Sequence, residues 1–286
     1  MPMNNRILRP LASGVHPEAA AWRSAVVANG GSVSASTIKA VSDFCSAIDS
    51  ANLRDRFYRL NLFCGTGLNA CLVPLYRGPS LSGTQYGNTT DTNNGPFVSG
   101  DYVETGASGG LQGNGVGKYL NTGLQMNFSS PRDYHLFFAG SDFSGNVGMI
   151  GADTFGDGTS PRFLQAVVSL TGTPRTNIWY NVGTLFRQSF NTTDYSGTTS
   201  FLGTGDSSGN KLYIAGVSVA TTTESGSGTN ANTYPVYVFA VNVKNTTQDY
   251  ISNARSIGYS VGLHLSGSQV SAYESAMAAF RLATGR

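Results

Sequence analysis

The sequence predicts a mainly β protein: an antiparallel β-sandwich with a helical segment before it and an amphipathic helix after it. Three observations carry this. Between about residues 97 and 242, short segments rich in Val, Tyr, Phe and Ile alternate with Gly/Asn/Ser/Asp clusters. No helical pattern is interleaved with them, which disfavours a parallel βαβ sheet and leaves a sandwich or barrel. Helical periodicity is confined to the two ends.

The first helix is expected over 17–28, PEAAAWRSAVVA, with Pro17 at a tolerated start and Asn29-Gly30-Gly31 as the stop. A second begins with Ser34 or Ser36 as N-cap. Its residues Ile38, Val41, Phe44, Cys45 and Ile48 share one face. Trp22 is expected in the seam between the two. RFYRLNLFCGTGLNACLVPLY then reads as two apolar segments around a Gly-rich turn, a short hairpin. Residues 77–96 have almost no apolar content and read as a polar loop.

The expected strands follow: FVSGDYVET, DYHLFFAG, RFLQAVVSL, TNIWYNVG, NKLYIAGVSVA and YPVYVFAVNV. The chain ends in SGSQVSAYESAMAAFRLATGR. Ser266 and Gln269 form an S-x-x-Q capping box, and Val270, Tyr273, Met277 and Phe280 make one apolar stripe. The implied organisation is an anchoring segment with a short hairpin over 1–78, a polar connector over 79–96, and a sandwich with its terminal helix over 97–286.

Of 286 residues only 12% are charged, against about 25% in an average protein, so Ser, Thr, Asn and Gly must cover much of the surface. The net charge is +2 and the basic residues are scattered, which gives no phosphate-neutralising patch and no expectation of nucleic-acid binding. No apolar run reaches the roughly 18 residues of a membrane span, and MPMNNRILRPLASG has no apolar core of a secretory signal. Cys45, Cys64 and Cys71 read as buried small hydrophobes; a Cys64–Cys71 disulfide is the alternative.

Candidate chemistry is sparse. GLQGNGVGKYLNTGL (residues 110–124) resembles a phosphate loop, but Gly117-Lys118 would require Gly at position 112, where Gln112 stands, and YLNTGL reads as strand. Its glycines are expected to make turns and bulges. Gly106-Ala107-Ser108-Gly109-Gly110 matches the hydrolase elbow pattern without the strand-to-helix context that elbow needs. His16, His135 and His264 stand alone, which does not support zinc, and His135 is expected to be a satisfied sheet residue.

Asp142, Asp153 and Asp157 fall in one Gly-rich region. Calcium held by Asp153, Asp157 and loop carbonyls, or by Asp91 with Asn93, is an alternative to solvated turn residues. No cofactor is otherwise expected. Trp179, Tyr180 and Tyr195, with Tyr234 and Tyr237, offer faces for stacking on sugars. Alternation along a strand exposes one of Trp179 and Tyr180.

Residues 235–286, PVYVFAVNVKNTTQDYISNARSIGYSVGLHLSGSQVSAYESAMAAFRLATGR, resemble the end of concanavalin-like (laminin-G-like) jelly-roll domains in virion proteins of tailed phages and prophages. GLQGNGVGKYLNTGL resembles the first jelly-roll strands of that group. DRFYRLNLFCGTGLNACLVPLYRG resembles the segment before the sandwich in its tail or fibre proteins. The resemblance covers 36–286 loosely and carries no catalytic signature.

It implies a non-enzymatic fibre, head-decoration or tail component located in the virion. Its partners would be other virion proteins met through residues 1–56, further copies of itself, and host surface glycan met by the loops. The alternatives are a stand-alone carbohydrate-binding module and, behind it, a glycan hydrolase on the same scaffold, which needs two facing carboxylates.

Overall fold

A computed structural model describes residues 14–80, 86–125, 133–143, 146–153, 164–169, 175–180, 187–191, 199–223, 234–243, 247–249 and 251–286. Helices α1 (Pro17–Ala28) and α2 (Ala35–Ser50) open the described chain. They are followed by strand β1 (Phe57–Asn61) and the single helical turn α3 (Leu68–Cys71). Next come β2 (Thr92–Asn94), β3 (Tyr102–Val103), β4 (Gly110–Gln112), β5 (Tyr119–Gln125), β6 (Tyr134–Ser141) and β7 (Asn146–Asp153). Strands β8 (Leu164–Ser169), β9 (Arg175–Tyr180), β10 (Arg187–Asn191), β11 (Thr199–Asp206), β12 (Gly209–Ile214) and β13 (Val217–Thr222) continue. The chain closes with β14 (Pro235–Val238), β15 (Val241–Val243), β16 (Thr247–Asp249), β17 (Arg255–Gly262) and helix α4 (Gly267–Ala283).

The strands form two sheets, an antiparallel sandwich of jelly-roll-like type. One runs β13-β12-β11-β6-β17-β4-β3, with β1 also paired to β17. The other runs β10-β9-β8-β7-β14-β5-β2, with β15 beside β7 and β16 beside β15. Among the described pairings only β15–β7 is parallel.

Alternation along the strands splits the core in two. Leu136, Phe138, Phe201, Leu212 and Tyr259 of the first sheet meet Leu120, Leu124, Ile150, Val236 and Val238 of the second. The neighbouring positions Phe137, Ala139, Leu202, Tyr213 and Ile257 point the other way. There they join Phe44, Ile48, Val270, Tyr273, Met277 and Phe280 of the helices. The helices therefore form a third layer on the outer face of the eight-stranded sheet.

Tyr273 is its centre, with ring centroids 4.7 Å from Phe137, 5.0 Å from Phe57 and 6.5 Å from Phe44. Burying each such side chain contributes about 1.5–3 kcal/mol. Trp22 is buried in this layer and donates its indole N–H to the Val73 carbonyl at 3.1 Å. Ser34 caps α2, and Ser266 with Gln269 closes the capping box of α4.

Four readings of the sequence need correction. The second half of the expected 57–76 hairpin is the turn α3, because Gly65 (φ +96°) and Gly67 (φ +84°) redirect the chain and only the isolated bridge Leu60–Tyr76 remains. The polar stretch 77–96 contains β2 and the fully buried Asp91. FVSGDYVET holds one 3-10 turn and only the two residues of β3. YPVYVFAVNV is broken at Phe239 (φ +69°), so that β14 and β15 pair with β7 in opposite senses. A bulky residue with positive φ is strained; here the Phe239 ring is held among Phe63, Phe97 and Phe138 at 5.2–6.0 Å.

The helices at 17–50 also bury their apolar faces within the chain, and β1 belongs to the same sheet as β17. Residues 14–56 are thus integrated with the sandwich rather than held apart from it.

Candidate glycan-contact face

Two polar centres lie on opposite faces of β17. Tyr259 faces the space between the sheets and Ser260 faces the helices. In the first centre, Arg59 donates from Nη2 to Asp91 Oδ1 at 2.7 Å and from Nε at 3.1 Å. Its Nη1 donates to the Tyr86 and Asn88 carbonyls, both at 3.0 Å. Tyr259 donates to Asp91 Oδ1 at 2.7 Å and Asn61 Nδ2 to Asp91 Oδ2 at 2.9 Å. Arg59 and Asp91 side chains are both 0% exposed.

Burial alone would lower the Arg59 pKa, but the Tyr259 phenol and the Asp91 carboxylate outweigh it and hold the guanidinium charged. Burial, with Asp91 beside it, pushes the Tyr259 phenol well above its ordinary value. Asp91 is therefore an ion-pair partner that joins the β1–β17 edge of one sheet to the β2–β5 edge of the other. The calcium alternative at Asp91 and Asn93 is corrected accordingly: Asn93 instead bonds the Phe97 backbone.

In the second centre, His135 Nε2 lies 2.9 Å from Ser260 Oγ and Nδ1 lies 2.6 Å from the Leu263 carbonyl. Nδ1 accordingly donates and Nε2 accepts the Ser260 hydroxyl proton. Tyr273 donates to Ser260 Oγ at 3.1 Å. This is the spacing of a nucleophile and its base. All three residues are nevertheless 0% exposed under the helical layer. Burial lowers the His135 pKa to about 4, so the ring is neutral at physiological pH.

The remaining motifs resolve as structure. Cys45, Cys64 and Cys71 are free and buried, and burial raises the Cys45 and Cys64 thiols to about 12. Gly106–Gly110 leads into β4, so the elbow pattern has no helix behind it. In the glycine-rich loop, the N–H groups of Val116, Gly117 and Lys118 all donate to Asn114 Oδ1 at 3.0–3.1 Å. The loop's own side chain fills the nest that a phosphate would need.

One broad face is left uncovered by the helical layer: the outer face of the nine-stranded sheet. Val236 and Val238 are buried between the sheets, which places Tyr237 on the outer side. Direct pairing from Tyr237 then traces one row across the sheet. Thr92 is opposite Asn121, Asn121 opposite Tyr237, and Tyr237 opposite Gly151. Gly151 is opposite Gln165, Gln165 opposite Trp179, and Trp179 opposite Arg187.

Tyr119, half-buried and one pleat along β5, lies with its ring centroid 4.6 Å from that of Tyr237. Of the described side chains in this row, Thr92 has a hydroxyl, Asn121 an amide and Tyr237 a phenol; the backbone register continues the row through Gln165, Trp179 and Arg187. The adjacent row, Leu120, Val238, Ile150, Ala166 and Ile178, is apolar and belongs to the inner side.

Of the sequence-predicted sugar contacts, Trp179 stands opposite Gln165 and Arg187 in the backbone register, with its side chain outside the described set. Tyr180 stands opposite Leu164 in the register, and Leu164 opposite the buried Ala152; the Tyr180 side chain is likewise outside the described set. Tyr195 and Asp157 lie outside the described residues. Asp153 ends β7 opposite Val243, with its side chain outside the described set. Sequence reasoning missed Tyr119, Asn121 and Thr92; the alternation in YLNTGL was the available signal, since Leu120 and Leu124 mark its inner side.

Neither a protein-family model nor a curated protein matches the chain. Similar solved structures include a Trypanosoma rangeli sialidase mutant displaying trans-sialidase activity. It has a TM-score of 0.48 and 10% identity, over 82% of this chain and 38% of that one. Domain 4 of AbnA, an extracellular arabinanase from Geobacillus stearothermophilus in complex with arabinotriose, has a TM-score of 0.43 and 15% identity, over 57% and 75%. The CBM40 of Ruminococcus gnavus IT-sialidase bound to alpha2,3 sialyllactose has a TM-score of 0.41 and 11% identity, over 58% and 98%. The chain spans 26% of the NanB chain it matches and 38% of the Trypanosoma rangeli sialidase. These neighbours include carbohydrate-binding modules and domains of glycan-active enzymes; likeness this low carries no functional argument.

Proposed function

We propose that the protein is a non-enzymatic, glycan-contacting β-sandwich carried on the surface of a tailed-phage particle. The observation that supports glycan contact is the outer row Thr92–Asn121–Tyr237–Gly151–Gln165–Trp179–Arg187 on the sheet face opposite the helical layer. Sugars are recognised by an aromatic face against their C–H groups and by hydroxyl, amide and guanidinium partners for their hydroxyls. Thr92, Asn121 and Tyr237 supply a hydroxyl, an amide and a phenol side by side, at the strand spacing of about 4.8 Å, and the backbone register continues the row to Gln165, Trp179 and Arg187. The Ser260–His135 pair, which has catalytic spacing, is sealed, and this supports a binding role over hydrolysis. The particle location rests on the sequence resemblance of residues 235–286.

The test is a glycan array carrying neutral and acidic oligosaccharides, probed with the wild type, Trp179→Ala and Asn121→Ala. The wild type is expected to bind a defined subset. Trp179→Ala is expected to weaken that binding by about tenfold or more, roughly 1.4 kcal/mol, with an unchanged melting temperature. A wild type that binds nothing, or a Trp179→Ala protein that binds equally well, overturns the reading. The particle location is checked by mass spectrometry of purified particles, where the chain is expected and its absence contradicts the assignment.

A further inference from the structure

The Arg59–Asp91 pair joins the edges of the two sheets, and a pair of tyrosines lies at the same seam. Tyr58 of β1 and Tyr86 are half-buried, with ring centroids 4.8 Å apart and planes at 59°, so the two rings form a V. The backbone sets both. The pairing of β1 with β17 steps from Phe57–Gly262 directly to Arg59–Val261, which makes Tyr58 the extra residue of a β-bulge. Bulges re-aim a side chain and are frequent beside functional sites. Three successive carbonyls pin the Tyr86 segment: Arg59 Nη1 donates to those of Tyr86 and Asn88, both at 3.0 Å, and Arg77 Nη2 to that of Gly87 at 3.1 Å. Gly87 has φ +74°, and a Cβ there would stand 2.5 Å from the Thr122 carbonyl oxygen, so only glycine fits. Charges of both signs flank the rings. Burial raises the Tyr58 pKa, Tyr86 and Asp133 add to the rise, and Arg56 opposes it. Asp133 Oδ1 accepts the His264 backbone N–H at 2.6 Å, which orients the carboxylate. Arg56 Nε has no hydrogen-bond partner among the described residues, and Asp55 Oδ1 lies 3.7 Å from it.

We propose that Tyr58 and Tyr86, with Asp133 and Arg56, form a separate glycan subsite at the seam of the sandwich, and that its occupant is one pyranose unit of a neutral sugar. A tyrosine ring covers the C–H side of the sugar, the carboxylate accepts a hydroxyl proton, and the guanidinium donates to a hydroxyl oxygen. The two charges select the class. Asp133 opposes an acidic sugar and Arg56 a cationic one, since like charges brought together are costly, whereas a hydroxyl both donates and accepts and meets each of them. A ring already placed by a bulge or a pinned segment loses little freedom on binding. The seam adjoins the outer row of the nine-stranded sheet: Asn88 Nδ2 donates to Thr92 Oγ1 at 3.0 Å. A glycan long enough to reach both would be held at two points and bind more tightly than a single unit; the subsite itself does not depend on the outer row.

The experiment is saturation-transfer NMR on the full chain with glucose, galactose, mannose and N-acetylglucosamine, and with glucuronic acid and glucosamine as charged comparators. At least one neutral sugar is expected to bind with a dissociation constant of about 1–10 mM, the range of so small a ligand. Glucuronic acid and glucosamine are expected to bind at least about threefold more weakly. Tyr86→Ala is expected to weaken the neutral sugar about tenfold, and Asp133→Asn about threefold while also reducing the discrimination against glucuronic acid. Trp179→Ala is expected to leave this binding in place. A wild type that binds none of the neutral sugars overturns the proposal, and so does glucuronic acid bound as well as they are. Binding that Trp179→Ala abolishes and Tyr86→Ala and Asp133→Asn leave unchanged overturns the seam subsite while the outer-row reading stands. Should Tyr86→Ala lower the melting temperature, Asp133→Asn decides, because it keeps an acceptor for the His264 N–H; unchanged binding in that variant overturns the proposal.

Discussion

Tyr259 and Ser260 are neighbours in sequence, yet they anchor two buried polar centres that solve burial in different ways. On the Tyr259 side a full ion pair is retained, and each charged group is surrounded: Asp91 by Arg59, Tyr259 and Asn61, and Arg59 also by two backbone carbonyls. On the Ser260 side no charge is retained. His135 is neutral, and its two nitrogens are matched to one acceptor and one donor. A charge is costly to bury unless paired and hydrogen-bonded, and a neutral network is cheaper. The ion pair sits where two sheet edges must be joined, and the neutral network sits where a helix lies flat on a sheet.

The contrast is broken most strongly by removing one member of the ion pair. Asp91→Asn keeps the shape but leaves the Arg59 guanidinium buried without its counter-charge. The expected loss is about 3–5 kcal/mol, read from urea unfolding. A loss under about 1 kcal/mol, the level of an exposed pair, would show that Arg59 reaches water.

The next effect is a pH dependence from the neutral centre. The folded His135 pKa is about 4, lowered by burial from the ordinary 6.5. Between those values the unfolded chain binds the proton and the folded chain does not. Stability therefore falls as the pH drops from about 6.5 towards 4, by about 3 kcal/mol in all, and is flat for this group above 6.5. His135→Asn is expected to flatten that window; a slope unchanged in the variant would assign it to other groups.

Much of the architecture was legible in the sequence, because local signals and tertiary demands coincide there. Pro17, Ser34 and the Ser266/Gln269 box mark helix starts, and stripes such as Val270–Tyr273–Met277–Phe280 mark the buried side. DYHLFFAG reads as a strand, and β6 covers Tyr134–Ser141. What failed depends on partners far along the chain. Asp91 looks like a solvated turn residue until Arg59, 32 positions earlier, is brought against it. The break at Phe239 is packed by three aromatic rings far along the chain, Phe63, Phe97 and Phe138 of β6, not by its own neighbours.

The candidate face was legible only in part. Trp179 and Tyr180 were visible as an aromatic pair, but which of them shares a face with Tyr237 follows from the register of four strands. Composition also suggested a separate anchoring segment, because helical and strand patterns change near residue 57. The structure joins them, since the apolar stripes of α2 and α4 need the outer face of β6, β11 and β17.

That union is the central claim, because it seals one face of the sandwich and leaves the outer face of the nine-stranded sheet outside the helical layer. Native-state hydrogen exchange tests it most directly. The account predicts that the slowest amides of α2 and α4 open with the same free energy as those of β6 and β17, as one cooperative unit. Helices that open several kcal/mol more easily than the sheets, with β6 and β17 still protected, would contradict it.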